Sequence, residues 1–184
     1  PPITEEEIPF EIPDSWQWIR VGDVIEIKGG KRVPKGYSLR TEPTNHIYIR
    51  ITNMKKGTIL DKDLRYIDDF IYDKIKNYII TCNDLYITIA GTIGQVGTVP
   101  EKFHNMNLTE NAARLTPYLV DKYWMKYFLS SPMVQRDLLE KTNKMAQPKL
   151  ALKRIQQTIV PLPPLSEQKR IVEKVDALFS LIDT

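Results

Sequence analysis

Two kinds of apolar spacing divide this chain, and their order restricts the fold more than any single residue does. Before Pro117 the clear patterns alternate. In His46-Ile47-Tyr48-Ile49-Arg50-Ile51 the isoleucines share one face while His46, Tyr48 and Arg50 share the other, which is the period of a strand. Leu85 to Ala90 alternates again and meets Gly91-Thr92-Ile93-Gly94-Gln95-Val96-Gly97-Thr98-Val99, a strand, a glycine turn and a strand. Ala112 to Thr116 adds a further short strand. Among these, Asp69 to Ile80 carries Phe70, Ile71 and Ile75 at helical spacing and predicts a short helix. Everything beyond Pro117 reads as helical. Asp121 caps a helix running to Leu129, Ser131-Pro132 supplies a cap and a first-turn proline ahead of 133–139, and a third piece lies near 150–157. Strands first and helices after predict an α+β fold, a curled and mostly antiparallel β-rich part followed by a helical part, and argue against a doubly wound sheet.

The chain has 184 residues, enough for one domain with a real core. With 42% hydrophobic and 27% charged residues it has ordinary globular composition, and no run approaches the roughly 20 apolar residues of a membrane span. A single cysteine, Cys82, excludes an internal disulfide and a cysteine-clustered zinc site, so a reducing, cytoplasmic setting is the default. The chain starts Pro1-Pro2, with neither an initiator methionine nor a signal-peptide pattern, and is expected to be a fragment of a longer polypeptide. Residues 1–13, acidic and proline-bearing, read as a linker or extended arm, with order beginning near Trp16.

The net charge of +3 says little about partners, but its distribution says more. From Pro1 to Ile27 the acids outnumber the bases heavily, Arg20 standing alone. From Lys28 to Lys56 only Glu42 opposes Lys28, Lys31, Arg32, Lys35, Arg40, Arg50, Lys55 and Lys56. A second basic stretch, Lys141, Lys144, Lys149, Lys153 and Arg154, contains no acid. Segregation of this kind is what a phosphate-binding face needs, because affinity for a polyanion follows clustered charge. Two merely solvated basic loops are the plainer alternative. The strand ending at Arg50 runs into Thr52-Asn53-Met54-Lys55-Lys56-Gly57, turn chemistry loaded with donors.

No catalytic or cofactor signature appears. Gly91-Thr92-Ile93-Gly94 lacks the length and the Lys-Ser/Thr pair of a phosphate loop. His46 and His104 stand far apart without paired metal-ligand spacing, so no metal site is expected. Glu167-Gln168-Lys169 has no preceding Pro-Asp to complete a nuclease site, and Cys82 lacks evident catalytic partners. What remains is recognition. Side chains that reach base edges and phosphates gather in the basic loops and the hairpin turn: Lys31, Arg32, Lys35, Arg50, Asn53, Lys55, Lys56, Thr92, Gln95, Asn107, Lys144, Gln147, Lys149 and Lys153. Arg50 and Asn53 are the expected groove readers. Lys31, Arg32, Lys55, Lys56, Lys149 and Lys153 are the expected phosphate contacts.

The run Pro161-Leu162-Pro163-Pro164-Leu165-Ser166-Glu167-Gln168 leads into a helix with Ser166 as the expected cap and an apolar stripe at Ile171, Val175, Leu178 and Ile182. Spacing alone leaves two roles open for that stripe, a lid on the domain's own core or a seam for another helix.

The run at 161–168 resembles a signature of type I restriction-modification specificity subunits, as do Ile12-Pro13-Asp14-Ser15-Trp16-Gln17-Trp18 with Val21-Gly22-Asp23-Val24, and Asn83-Asp84-Leu85-Tyr86-Ile87-Thr88 before the glycine turn. The family usually has Gly-Asp at Asn83-Asp84. The resemblance, to the target recognition domain of that family, implies a domain at 14–164 that reads one half of a bipartite sequence in double-stranded DNA. It implies that residues 165–184 begin a conserved coiled-coil spacer helix. The implied partners are modification (methyltransferase) subunits, restriction subunits held through them, and a second recognition domain or a second copy met along the spacer. It also implies no catalysis and no cofactor in this chain. Two rivals are a recognition domain of a fused methyltransferase-endonuclease and a coiled-coil adaptor that binds no DNA.

Overall fold

Every residue from Leu85 to Thr88 is buried, which places this strand between two apolar layers. The computed structural model describes residues 2–140, 142 and 149–182. In chain order its strands are β1 (Gln17–Arg20), β2 (Ile25–Gly29), β3 (His46–Ile49), β4 (Met54–Lys55), β5 (Thr58–Ile59), β6 (Tyr66–Ile67), β7 (Ile79–Ile80), β8 (Leu85–Thr88), β9 (Val96–Thr98), β10 (Met106–Leu108), β11 (Ala112–Pro117) and β12 (Ile159–Leu162). The helices are α1 (Asp69–Ile75), α2 (Lys122–Ser130), α3 (Pro132–Glu140), α4 (Leu152–Gln157) and α5 (Leu165–Ile182). The mixed α+β class holds. Among the described residues no helix is long and apolar enough to cross a membrane.

One sheet has the order β2-β11-β8-β9 and the other β6-β3-β10-β7. All their pairings are antiparallel except β3 with β10. Leu85, Ile87, Ala113 and Leu115 face a core closed by Trp124, Met125 and Leu129 of α2, Val134 and Leu138 of α3, and Ile155 of α4. Tyr86 and Ala112 point the other way, into a second core with Ile47, Ile49, Ile80 and Leu108 of the facing sheet. Helices of six to nine residues do not hold together alone, so α2, α3 and α4 owe their form to this packing. Each fully buried Leu or Ile there contributes roughly 1.5–3 kcal/mol. Gly97 is required where the sheets meet, because a Cβ there would lie 2.4 Å from the Tyr86 hydroxyl. That hydroxyl donates to the Thr58 carbonyl at 2.9 Å, tying β8 to β5.

Local chemistry sets several boundaries as expected. Asp121 accepts from the amides of Tyr123 and Trp124, both at 2.9 Å, and starts α2. Pro132 is the first residue of α3, although the Ser131 hydroxyl ahead of it has no partner among the described residues. Residues 85–99 form the hairpin β8–β9, with the Thr88 hydroxyl donating to the Thr92 carbonyl and accepting from the Gln95 amide at 3.0 Å.

Other expectations are overturned. The chain beyond Pro117 is not all helical, since Ile159–Leu162 is a strand and pairs antiparallel with β1, Pro161 lying opposite Trp18. A two-stranded ladder leaves one side of each strand free, and a residue without an N–H fits there. The helix predicted over 69–80 stops at Ile75, and Ile79–Ile80 becomes an edge strand beside β10. Tyr48 does not face outward; it is 3% exposed in a third cluster with Ile67, Ile71 and Ile75. Ser166 is not a cap but lies inside α5, whose first amides are taken up by the Pro164 carbonyl. The arm before Trp16 has structure: Glu5–Glu7 forms one 3-10 turn, Glu7 pairs with Arg20 at 3.1 Å, and Phe10 stands edge-on to Trp18.

The apolar stripe of α5 divides between the two roles left open. Ile171 packs on the domain's own core and Val175 is half-buried, whereas Leu178 and Ile182 are 53% and 76% exposed. Between them Tyr127 of α2 contacts the Phe179 ring and donates to Asp176.

Candidate nucleic-acid interface

Three clefts adjoin one another across the loops that the charge pattern singles out. The first runs from Gly29 through Lys31 and Arg32 to Lys149 and Leu152, the second from Arg32 through Tyr48 to Arg50 and Thr52, and the third from Arg50 through Lys55 to Lys62 and Arg65. Arg32 and Glu110 line both the first and the second; Arg50 and Thr52 line both the second and the third. The result is a continuous basic surface with Glu110 and Asp63 as its acids. It joins loops that are over a hundred positions apart in the chain.

Glu110 is the hub of the middle cleft. Its Oε1 accepts from Arg32 Nε at 2.6 Å and its Oε2 from the Thr109 hydroxyl at 3.0 Å. Tyr48 donates to the Lys31 carbonyl at 2.8 Å and lies 3.3 Å from Glu110 Oε2. Burial pushes the Glu110 carboxyl up, but hydrogen bonds from Arg32, its own backbone and Thr109 outweigh that and hold it below its ordinary value. Burial, with Glu110 nearby, raises the Tyr48 phenol to about 12, so it stays a donor at neutral pH.

Arg50 sits at the junction of the second and third clefts. One terminal nitrogen donates to the Asp63 carbonyl at 2.6 Å, while Nε is buried without a hydrogen-bond partner among the described residues. Burial and the neighbouring Arg65 lower the pKa of this guanidinium, and the Asp63 carboxylate offsets part of that.

The hairpin β4–β5 carries two of the expected phosphate contacts, Lys55 at the end of its first strand and Lys56 on its turn. Met54 pairs with Ile59 and Lys55 with Thr58, leaving Lys56-Gly57 as a two-residue turn in which both φ angles are positive, 54° and 69°. Lys35, Lys55, Lys56, Lys149 and Lys153 are exposed and make no ion pair with a described residue. Lys31 is exposed with its ammonium 5.5 Å from the Tyr78 ring centre. Thr92 and Gln95 are exposed on the β8–β9 turn. Lys144 and Gln147 lie outside the described residues.

Three expected contacts are corrected. Asn53 is 2% exposed, its Oδ1 accepting from the Arg50 amide and its Nδ2 donating to the Lys62 carbonyl, so its side chain is turned into the loop and not outward as a groove reader would be. Asn107 is fully buried and donates to the Ile75 carbonyl at 2.9 Å. Arg32, although 78% exposed, is held by Glu110 and is not a free cation. Lys62, Arg65, Tyr48 and Glu110 also line the clefts, and nothing in the sequence pattern singles them out. Asp61 and Asp63 alternate with Lys62 and Arg65 and cancel their local charge, while nothing local marks a tyrosine that turns inward.

The structure also joins what spacing kept apart. Cys82 Sγ lies 3.2 Å from His104 Nδ1, with a Glu101 carboxylate oxygen within 4.8 Å of both. This is not a nucleophile's arrangement. A catalytic pair needs its third group behind the histidine, whereas Glu101 meets the sulfur and raises the thiol pKa.

The model of the type I restriction modification DNA specificity domain family matches residues 13–184. The EcoBI type I restriction enzyme specificity subunit of Escherichia coli is 28% identical over 184 residues, covering 94% of this chain and 37% of that protein. The EcoAI specificity subunit of Escherichia coli is 27% identical over 187 residues, covering 97% and 31%. A crystal structure of the HsdS subunit from Thermoanaerobacter tengcongensis superposes with a TM-score of 0.73 at 20% identity, over 95% of this chain and 40% of that one, a likeness of fold. The chain spans less than half the length of each of these proteins.

Proposed function

The chain belongs to the family of type I restriction modification DNA specificity domains, and from that premise we propose that it reads one half of a two-part DNA target. The observation that carries the reading is the run of three joined clefts, which collects Lys31, Arg50, Lys55, Lys62, Arg65 and Lys149 on one surface. Clustered lysines and arginines displace counterions from DNA and give affinity without sequence preference. Arg50, with its unpaired Nε at the junction, is the side chain assigned to a base edge. Lys31, Lys35, Lys55, Lys56, Lys149 and Lys153 are assigned to phosphates, and Thr92 and Gln95 to the edge of the interface. The residues 14–164 form the reading unit in this proposal, with 165–184 opening the spacer.

In this reading the chain performs no chemistry. Methyl transfer and strand cleavage belong to partner subunits, and the exposed end of α5 at Leu178 and Ile182 is where a spacer helix continues towards them or towards a second recognition domain. The readings as the recognition end of a fused enzyme, or as an adaptor that binds no DNA, are weaker. The curated relatives are themselves named as specificity subunits. A chain that reads chromosomal DNA is assigned in this proposal to the cytoplasm.

Duplex binding across a salt series tests the proposal. Changing Lys55→Ala with Lys56→Asn should weaken binding to every duplex and flatten the log–log salt slope by about 0.9 for each phosphate contact removed. An unchanged slope sinks the assignment of these lysines. Arg50→Gln should instead erode discrimination between duplexes carrying the methylated sites of the source genome and scrambled ones, by about 1–3 kcal/mol.

A further inference from the structure

We propose that Cys82, Glu101 and His104 form a site for a divalent transition metal of the zinc type, apart from the basic clefts. The sulfur, one carboxylate oxygen and a ring nitrogen, one from each residue, all lie within 4.8 Å of one another. Their types suit a borderline-soft ion, since thiolate and imidazole select zinc or cobalt over magnesium or calcium. The geometry is close to that needed. With Zn–S and Zn–N bonds of ordinary length a tetrahedral ion holds S and N about 3.6 Å apart, and Cys82 Sγ is 3.2 Å from His104 Nδ1. A shift of a few tenths of an ångström in two partly exposed side chains closes that gap.

The backbone holds the three donors in place without an ion. Cys82 sits in the turn between β7 and β8, which Asp84 locks by accepting from the Thr81 amide at 2.7 Å, the Thr81 hydroxyl at 2.9 Å and the Thr116 hydroxyl at 2.6 Å. Glu101 opens a 3-10 turn anchored by Phe103, which is 1% exposed, and His104 follows directly after it. The Cys82 amide donates to His104 Nδ1 at 3.3 Å, which holds the ring beside the sulfur, and a metal bound at Nδ1 would take the place of that hydrogen bond. Lys122 lies close, donating to the Cys82 carbonyl at 2.9 Å, and its charge opposes a dication. Metal binding would release the thiol proton, and thiolate and carboxylate together would then outweigh that charge. Three protein donors leave a fourth position open to water. The bound ion would add a clamp between the β7–β8 turn and the segment after β9, next to the backbone ladder that pairs Ile80 with Met106.

Cobalt(II) is the probe. Added to chelator-treated protein, it should bind one equivalent and give a thiolate-to-cobalt charge-transfer band, which zinc then abolishes by displacement. Zinc should also raise the melting temperature. Cys82→Ser should remove the band and the thermal shift, and Glu101→Gln should weaken affinity at least tenfold while keeping the band. Should the serine variant not fold, His104→Gln reads the same loss. Absence of the band from the wild-type chain, or its survival in Cys82→Ser or His104→Gln, overturns the site. Duplex binding by the basic clefts stands or falls separately.

Discussion

The indole of Trp16 donates to the carboxylate of Glu167 at 3.0 Å, joining residues 151 positions apart. Around this bond β1 and β12 pair from Gln17–Leu162 to Arg20–Ile159, so the first ordered strand and the last are zipped together. Two of the segments that carry the family resemblance, at 12–18 and at 161–168, meet at this seam.

Replacing Trp16→Phe keeps the ring and removes the donor. Glu167 is partly exposed and can turn to water, so the loss is modest, about 1 kcal/mol. Urea unfolding of Trp16→Phe, Glu167→Gln and the double variant measures it. Additive losses would show that the two residues do not act through each other.

Gln168 should matter more than its neighbours in α5. It is 1% exposed, its Oε1 accepting from the Asp121 amide at 2.8 Å and its Nε2 donating to the Pro163 carbonyl at 2.8 Å. Gln168→Ala strands two buried backbone groups and should cost about 2–4 kcal/mol, against little for the exposed Lys169→Ala. Equal unfolding midpoints for the two variants would contradict this.

Lys56 occupies a left-handed conformation that suits asparagine or glycine better, at φ 54° in a turn of the Asn-Gly type. Lys56→Asn should therefore stabilise the fold by about 0.5–1 kcal/mol while removing a cation from the proposed DNA face. Thermal melts and the salt titration, run on the same variant, should move in opposite directions.

The Arg32–Glu110 latch should show in the acid limb of stability. Glu110 has a folded pKa below its ordinary 4.5, so the paired carboxylate contributes stability that is full above 4.5 and fades as pH falls through the lower folded value. Glu110→Gln should thus be less stable than the parent at pH 7, with the difference shrinking towards pH 3. A difference that grows on acidification would reverse the assignment.

Much of the frame was legible because it rests on local chemistry. Asp121 caps α2 with its own side chain, and the run through Gly91 and Gly94 turns a hairpin whose strands are neighbours in sequence. What escaped depends on partners far along the chain. Pro161 hides a strand whose only ladder is to Trp18, and β7 has two residues that become a strand only beside Met106 and Asn107. For the clefts, composition located the basic loops but not the direction of each side chain. An asparagine in a turn can face solvent or fold its amide into the backbone, and Asn53 does the second. Cys82 and His104 carried no spacing signal because two separate turns bring them together.

The zipped seam has a consequence for change over time. Every residue lining the three clefts falls between Gly29 and Leu152, and none belongs to β1, β12 or α5. The seam that brings the two ends of the unit together is therefore separate from the loops that line the clefts. Under the proposed reading, substitutions in the cleft loops would change what the surface reads while leaving the two-strand seam as it is.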